Sequence, residues 1–92
     1  MTKEEMAALR DIRGYAAANR ITTGQHARLR MRERGVLYND LRCALLGAHR
    51  CIRGEERRWE VEGNDEDGVG LRLIVILEDG VVVITLMDTR DP

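Results

Sequence analysis

The sequence predicts a single α+β domain, in which N-terminal helices pack on a C-terminal antiparallel sheet of three to four strands. The chain has 92 residues, which is enough for one domain and too few for two. Apolar residues recur at helical spacing in the first half and form short β-branched runs in the second. Asp79-Gly80 lies between the last two runs, where it is typical of a tight hairpin turn.

Two helices are indicated by capping-box patterns, in which a Thr is followed three residues later by Glu or Gln. Thr2 opens a predicted helix over 3–18, with apolar residues on one face. Thr22 opens a second over 23–34, and Gly35 is well placed to end it in a left-handed conformation.

A third helix is predicted over 40–46. Asn39 precedes it as the expected N-cap, and Gly47 follows it as the expected terminator.

The remaining elements are predicted strands. Residues 59–62 alternate apolar with acidic side chains, which is typical of a half-buried strand, and 50–53 is expected to pair with it. Residues 71–77 and 81–87 are β-branched and apolar on both faces. One face of the sheet should therefore take the helices, and the other should be covered by the first helix, a partner or a second copy.

Composition excludes several classes of function. No apolar run approaches the roughly 20 residues of a membrane span, and the N-terminus has no signal-peptide pattern. Two cysteines form no disulfide framework, so we expect a cytoplasmic protein. Cys43, His49 and Cys51 lack the spacing of metal ligands, and no phosphate-binding glycine motif occurs. We therefore expect no metal and no cofactor.

Charge is distributed unevenly along the chain. Residues 1–58 carry 13 basic and 7 acidic side chains, whereas residues 59–92 carry 2 and 9. Of the 15 basic residues, 14 are arginine. Arginine binds phosphates bidentately, so the bias fits an anionic partner such as RNA. A genome rich in arginine codons, with arginines that only solvate helices, explains it equally well.

The second predicted helix carries the candidate catalytic residues. His26, Arg30 and Arg34 are spaced four residues apart, which places them on one stripe of the helix. A histidine can exchange protons near neutral pH, and arginines can hold a phosphate. Cleavage of RNA through its 2′-hydroxyl needs these roles. A structural histidine is the competing interpretation.

Four further arginines are candidate RNA-binding residues. Arg28 and Arg32 lie on the opposite side of the same predicted helix, and Arg57 and Arg58 precede the strand over 59–62. Contacts of this kind would hold phosphates without sequence preference. The chain has only three aromatic residues, so base stacking has little support from composition.

Residues 21–88 resemble the DUF4258 family, and residues 1–20 lie outside the resemblance. The residues that carry it are His26-Ala27, Arg30-Met31, Arg34-Gly35-Val36, Asp40-Leu41 and the hairpin over 78–85. The family is grouped with RelE-like and MqsR-like toxins. The resemblance implies a RelE-like fold, an RNA-cleaving toxin and a cognate antitoxin protein that neutralises it, with Thr85 matching the last-strand motif.

The leading hypothesis is a metal-independent endoribonuclease toxin, with His26 as acid or base, Arg30 and Arg34 as phosphate clamp and Thr85 in support. The second is a non-catalytic interaction module, with a homodimer formed through the second sheet face. In it Ala27 and Met31 pack against the sheet and the arginines pair with acids. The third is a sequence-independent nucleic-acid binder.

Overall fold

The computed structural model describes residues 1–90 of the chain. They form three helices and five strands, in the order α1 (Lys3–Ala17), β1 (Ile21–Thr23), α2 (Gln25–Arg34), α3 (Tyr38–Leu46), β2 (Arg50–Arg53), β3 (Trp59–Asn64), β4 (Gly70–Leu77) and β5 (Val81–Asp88). The predicted α+β class is confirmed, with all three helices in the first half of the chain and four of the five strands in the second.

The sheet differs from the prediction in strand number and in one strand direction. It is mixed and five-stranded, in the order β1-β5-β4-β3-β2, whereas the sequence predicts three to four antiparallel strands. The additional strand, β1, pairs in parallel with the start of β5, where Ile21 lies opposite Val81. Because β1 has only three residues and a partner near the other end of the chain, no local pattern indicates it.

One face of the sheet carries the core. Strand residues alternate between the two faces, except at a bulge in β5. The buried ones on the core face include Cys51, Val61, Leu73, Val75, Val83 and Leu86. Apolar residues of α1 and α3, at helical spacing, cover them: Leu9, Ile12, Ala16, Leu41, Ala44 and Leu45. Full burial of one such Leu or Ile side chain stabilises the fold by about 1.5–3 kcal/mol.

The opposite face of the sheet stays partly exposed in the described residues. Its half-buried apolar side chains are Ile74, Ile76, Val82 and Met87, from β4 and β5, and Ile52, from the edge strand β2. Ile84 is unpaired and forms a β-bulge. Along β3 the face is polar: the Arg72 guanidinium lies 3.4 Å from the Glu60 carboxylate and 3.0 Å from that of Glu62. We refer to this surface as the open sheet face.

The predicted capping box of α1 is confirmed, and that of α2 is wrong. The Thr2 hydroxyl accepts the Glu5 N–H, while the Glu5 carboxylate accepts the Thr2 N–H. At α2 the N-cap is Gly24, with no side-chain cap. Thr22 does not cap this helix because it belongs to β1, which delays the helix by two residues.

The start of α3 also differs from the prediction. The helix begins at Tyr38, and the Asp40 carboxylate accepts the N–H of Leu37, so Asn39 is not its cap. Gly35 ends α2 with a φ of 66°, as predicted. The segment between the two helices is therefore only three residues long.

The β4–β5 turn has the predicted backbone. Asp79 and Gly80 have φ values of 54° and 143°. A Cβ on Gly80 would lie 3.0 Å from the Arg20 carbonyl oxygen, which also accepts the Val81 N–H at 2.9 Å. The turn therefore packs against the residue that leads into β1.

The outer edge of β2 is covered by the beginning of α1. Two N–H groups of β2, those of Arg53 and Cys51, point away from β3. The Arg53 N–H donates to Glu5 Oε2 at 2.9 Å. The Cys51 N–H lies 3.2 Å from Met1 Sδ. The backbone N–H groups of Thr2 and Arg53 together lower the pKa of the Glu5 carboxyl below its usual range. An edge strand that is covered in this way cannot easily pair with another chain.

Candidate functional site

Helix α2 lies along the edge of β5, beyond the point where β1 ends. The Gly24 N–H donates to the Val83 carbonyl at 2.9 Å, and the helix begins with the next residue. Ala27 is fully buried, and Met31, one turn later, packs half-buried against the core. This anchoring places the predicted stripe on one flank of the helix and Arg28 and Arg32 on the other.

His26 is exposed at the first turn of α2. It lines a shallow depression together with Leu29 and Arg32. Among residues 1–90 its imidazole has no hydrogen bond and no ion pair. The ring is therefore accessible to a ligand in solution.

Arg30 is half-buried, and its side chain contacts the backbone of the sheet. Its Nε lies 3.4 Å from the Leu86 carbonyl oxygen, on the edge of β5 that β1 leaves uncovered. Its guanidinium also lies 4.0 Å from the Glu33 carboxylate. Part of its hydrogen-bonding capacity is therefore directed at the protein and not at the His26 depression.

Arg34 lies at the end of α2, in a different depression of about 390 Å³. Asp40, Asp88 and Arg90 also line this depression. Hydrogen bonds from Arg90 lower the pKa of Asp88 to about 2, and the charge of Arg34 contributes less. The structure thus keeps His26, Arg30 and Arg34 on one flank but does not bring them into a single cavity.

Arg28 and Arg32 border a larger groove of about 710 Å³ between α2 and the segment that leads into α3. We call it the α2–α3 groove; it is lined mainly by Arg28, Met31, Arg32, Val36, Leu37 and Tyr38. None of the described residues that line it is acidic. Arg32 also lines the His26 depression, so the two surfaces adjoin.

Both groove arginines keep their positive charge unpaired by carboxylates. The Arg28 guanidinium donates to the Thr23 carbonyl, which is uncharged. In the described part of the chain Arg32 has neither a hydrogen bond nor an ion pair. The groove therefore has a positive potential that a phosphate could neutralise.

The other predicted site residues lie elsewhere. Thr85 pairs with Ile74 beside the β-bulge and therefore belongs to the open sheet face. Arg57 lies 3.5 Å from the Glu78 carboxylate near the β4–β5 turn, and Arg58 lies 4.0 Å from that of Glu56. The structure does not bring these arginines to the α2–α3 groove.

Tyr38 and Leu37 line the groove but are not among the predicted site residues. Leu37 is 67% exposed and Tyr38 is 39% exposed. The predicted third helix begins only at residue 40, and the small number of aromatic residues gives base stacking little support from composition. The signal that could have found them is the apolar run Val36-Leu37-Tyr38 directly after the helix-ending Gly35.

The described residues give little support to a metal site, a reactive Cys51 thiol or a membrane span. Between residues 1 and 90 no three His, Cys, Asp or Glu side chains are close enough together to hold a metal ion. Burial raises the pKa of the Cys51 thiol to about 11, which keeps it protonated and unreactive. No helix in the same range is long and apolar enough to span a membrane.

Comparison with protein families, with curated proteins and with solved structures finds no match to this chain. The resemblance to the DUF4258 family therefore stays a prediction.

Proposed function

We propose that this protein is the RNA-cleaving toxin of a toxin–antitoxin system, a metal-independent endoribonuclease on a RelE-like fold. One observation carries the proposal: an exposed His26 adjoins a groove in which Arg28 and Arg32 meet no acidic side chain. The resemblance of residues 21–88 to the DUF4258 family supports the same function. A cognate antitoxin protein would neutralise it.

In this proposal the RNA supplies its own nucleophile. The ribose 2′-oxygen attacks the adjacent phosphorus and the bond from phosphorus to the 5′-oxygen breaks, which leaves a 2′,3′-cyclic phosphate and a 5′-hydroxyl. The neutral imidazole of His26 takes the proton of the 2′-hydroxyl, and a proton returns from the imidazolium to the departing 5′-oxygen. Arg32, which borders the same depression, balances the negative charge on the phosphate. Arg30, Arg34 and Thr85 stay predicted site residues.

A pair of histidine variants tests the proposal. His26→Ala removes the proposed base, whereas His49→Ala removes the other exposed histidine, which lies beside α1 with Arg10 and Arg13. We expect the unaltered chain and His49→Ala to arrest growth and degrade cellular RNA, and His26→Ala to do neither. The cleavage rate of the purified protein should fall about 10²- to 10⁴-fold with His26→Ala.

Two results would contradict this assignment. If the unaltered chain is expressed without harm to the cells and their RNA stays intact, the protein is not a toxin. If His49→Ala loses cleavage and His26→Ala retains it, the reacting histidine is His49, on the surface beside α1.

Metal independence is tested separately on the purified protein. Because the imidazole moves the proton and arginine balances the charge, we expect the cleavage rate to be unchanged after dialysis against EDTA. A rate that falls with EDTA and returns with added Mg²⁺ would show that a bound metal supplies this chemistry.

A second function, that of a non-catalytic interaction module, is favoured by the open sheet face. This face presents half-exposed apolar side chains from β2, β4 and β5, which is typical of surfaces that meet a partner. The contact of Arg30 with the Leu86 carbonyl, on the edge of β5, also agrees with this function, because it directs the guanidinium at the protein. In this proposal two copies pack face to face as a homodimer.

The dimer is tested with two lysine variants. Ile76→Lys places a charge on the open sheet face, and Leu29→Lys places one at an exposed apolar position on α2. Sedimentation should show a dimer for the unaltered chain and for Leu29→Lys, and a monomer for Ile76→Lys. A monomer in all three cases at high concentration would exclude the dimer.

A further inference from the structure

The α2–α3 groove has an apolar side that the cleavage step does not use. Leu37 and Tyr38 are adjacent and remain 67% and 39% exposed, respectively. A single exposed leucine is ordinary on a protein surface, but neighbouring large apolar side chains within a groove form a patch that a ligand can cover. The opposite side of the groove carries Arg28 and Arg32, one helical turn apart.

The two sides together define the chemistry of the occupant. It must present a flat, largely apolar surface to the Tyr38 ring and negative charge to Arg28 and Arg32. A nucleotide does both at once, since its base stacks on an aromatic ring and its phosphate binds guanidinium. The volume of about 710 Å³ suits a small-molecule-sized group and not a base-paired helix.

We propose that the α2–α3 groove holds one unpaired base of the RNA, stacked on Tyr38, while Arg28 and Arg32 hold the flanking phosphates. The substrate is then single-stranded RNA, because a base inside a duplex cannot leave its stack without unpairing. This inference rests on the proposed function. It also connects the groove to the reaction, since Arg32 borders the His26 depression into which the next nucleotide would pass.

Binding of a short labelled RNA, with its 2′-hydroxyls methylated to prevent cleavage, tests the inference by fluorescence anisotropy. The same strand annealed to its complement serves as the duplex probe. Three variants are compared after circular dichroism has shown that each is folded. Tyr38→Ala removes the ring, Tyr38→Phe keeps it, and Leu46→Ala removes an exposed apolar side chain at the far end of α3.

We expect the unaltered chain to bind the single strand at least about tenfold more tightly than the duplex. Tyr38→Ala should weaken single-strand binding about 5- to 150-fold, the range found when one base–aromatic stack is removed. Tyr38→Phe and Leu46→Ala should stay within about twofold of the unaltered chain, because both keep the stacking ring.

Each failure has a distinct meaning. Equal affinity for single strand and duplex, or full affinity in Tyr38→Ala, would overturn the base-binding groove and leave RNA binding in place. If the unaltered chain binds neither probe, the proposed function falls as well, and a protein segment becomes the better occupant for the groove.

Discussion

Position 63 accepts no side chain larger than hydrogen. A Cβ on Gly63 would lie 2.0 Å from the Ala44 carbonyl oxygen, because the backbone of α3 packs directly on β3 at this point. Gly14 is the opposite case: it lies inside α1, and an added Cβ would have no atom within 4 Å. The two glycines therefore have different roles, although the sequence alone does not distinguish them.

We expect Gly63→Ala to lower the free energy of unfolding by at least about 1–3 kcal/mol, since a backbone atom must move to accommodate the methyl group. Gly14→Ala should raise it by about 0.5–1 kcal/mol, because alanine loses less conformational freedom in a helix. Thermal unfolding followed by circular dichroism measures both, at about 4–8 °C per kcal/mol. A melting temperature for Gly63→Ala equal to that of the unaltered chain would contradict the close contact of α3 with β3.

The arrangement of the candidate site residues could be predicted only in part. Helical spacing alone places His26, Arg30 and Arg34 on one flank of α2. Where each guanidinium points depends on neighbours that are distant in the sequence. Arg30 reaches the Leu86 carbonyl because β1 stops before that residue, and a pattern along α2 does not contain this information.

Among the elements, α1 combines packing with protection of the sheet. It buries Ile12 and Ala16 against the core, and its first turn covers the edge of β2 through Glu5. Two backbone N–H groups hold the Glu5 carboxylate in its charged form. The stability that this carboxylate contributes is therefore present above its ordinary pKa of 4.5 and is lost as the pH falls through its lowered pKa.

This linkage predicts a pH-dependent difference between two glutamate variants. Glu5→Gln should lower the melting temperature at about pH 6. The difference from the unaltered chain should shrink as the pH falls below 4.5 and through the lowered pKa of Glu5. Glu4→Gln, next to it, removes only an exposed ion pair with Arg53 and should change the melting temperature little. An equal effect of both variants, or a difference for Glu5→Gln that does not depend on pH, would contradict the role of the buried carboxylate.

The elements with long periodic patterns could be predicted, and so could the short strand β2 over 50–53, whereas β1 and the starts of α2 and α3 could not. Residues 3–17 and the two long strands show their apolar periodicity in the sequence and lie where predicted. The predicted start of α2 lies two residues too early, because Thr22 fits a capping-box pattern but pairs with Val82 in the sheet. Competition between a local cap and a distant strand is decided by tertiary contacts, which a single sequence does not show.

The uneven charge of the sequence is partly balanced within the fold. Arginines from the first half meet acids of the second, as in the pairs Arg20–Asp79, at 2.7 Å, and Arg50–Glu62, at 3.7 Å. Among the described residues, Arg28 and Arg32 in the groove meet no carboxylate. The same is true of Arg10 and Arg13 on α1 and of Arg42 on α3, where Arg13 and Arg42 donate only to backbone carbonyls. The uncompensated charge of the basic first half therefore lies at the α2–α3 groove and also on α1 and α3.

If RNA contacts only the two groove arginines, its binding should depend weakly on salt. With two phosphates neutralised, the logarithm of the association constant should fall with the logarithm of the salt concentration with a slope of about −1.4. Arg32→Ala should reduce that slope by about 0.7, whereas Arg10→Ala, on α1, should leave it unchanged. Binding titrations at several salt concentrations measure the slope. An equal loss of slope in both variants would show that RNA contacts charge spread over the surface and not the groove.

The covered outer edge of β2 restricts how another chain can join the sheet. Met1 and Glu5 already accept the outward N–H groups of Cys51 and Arg53. A further strand would therefore find few free N–H groups along this edge. Anything that binds on this side must contact side chains, so its specificity would follow their identity and not the generic geometry of the peptide bond.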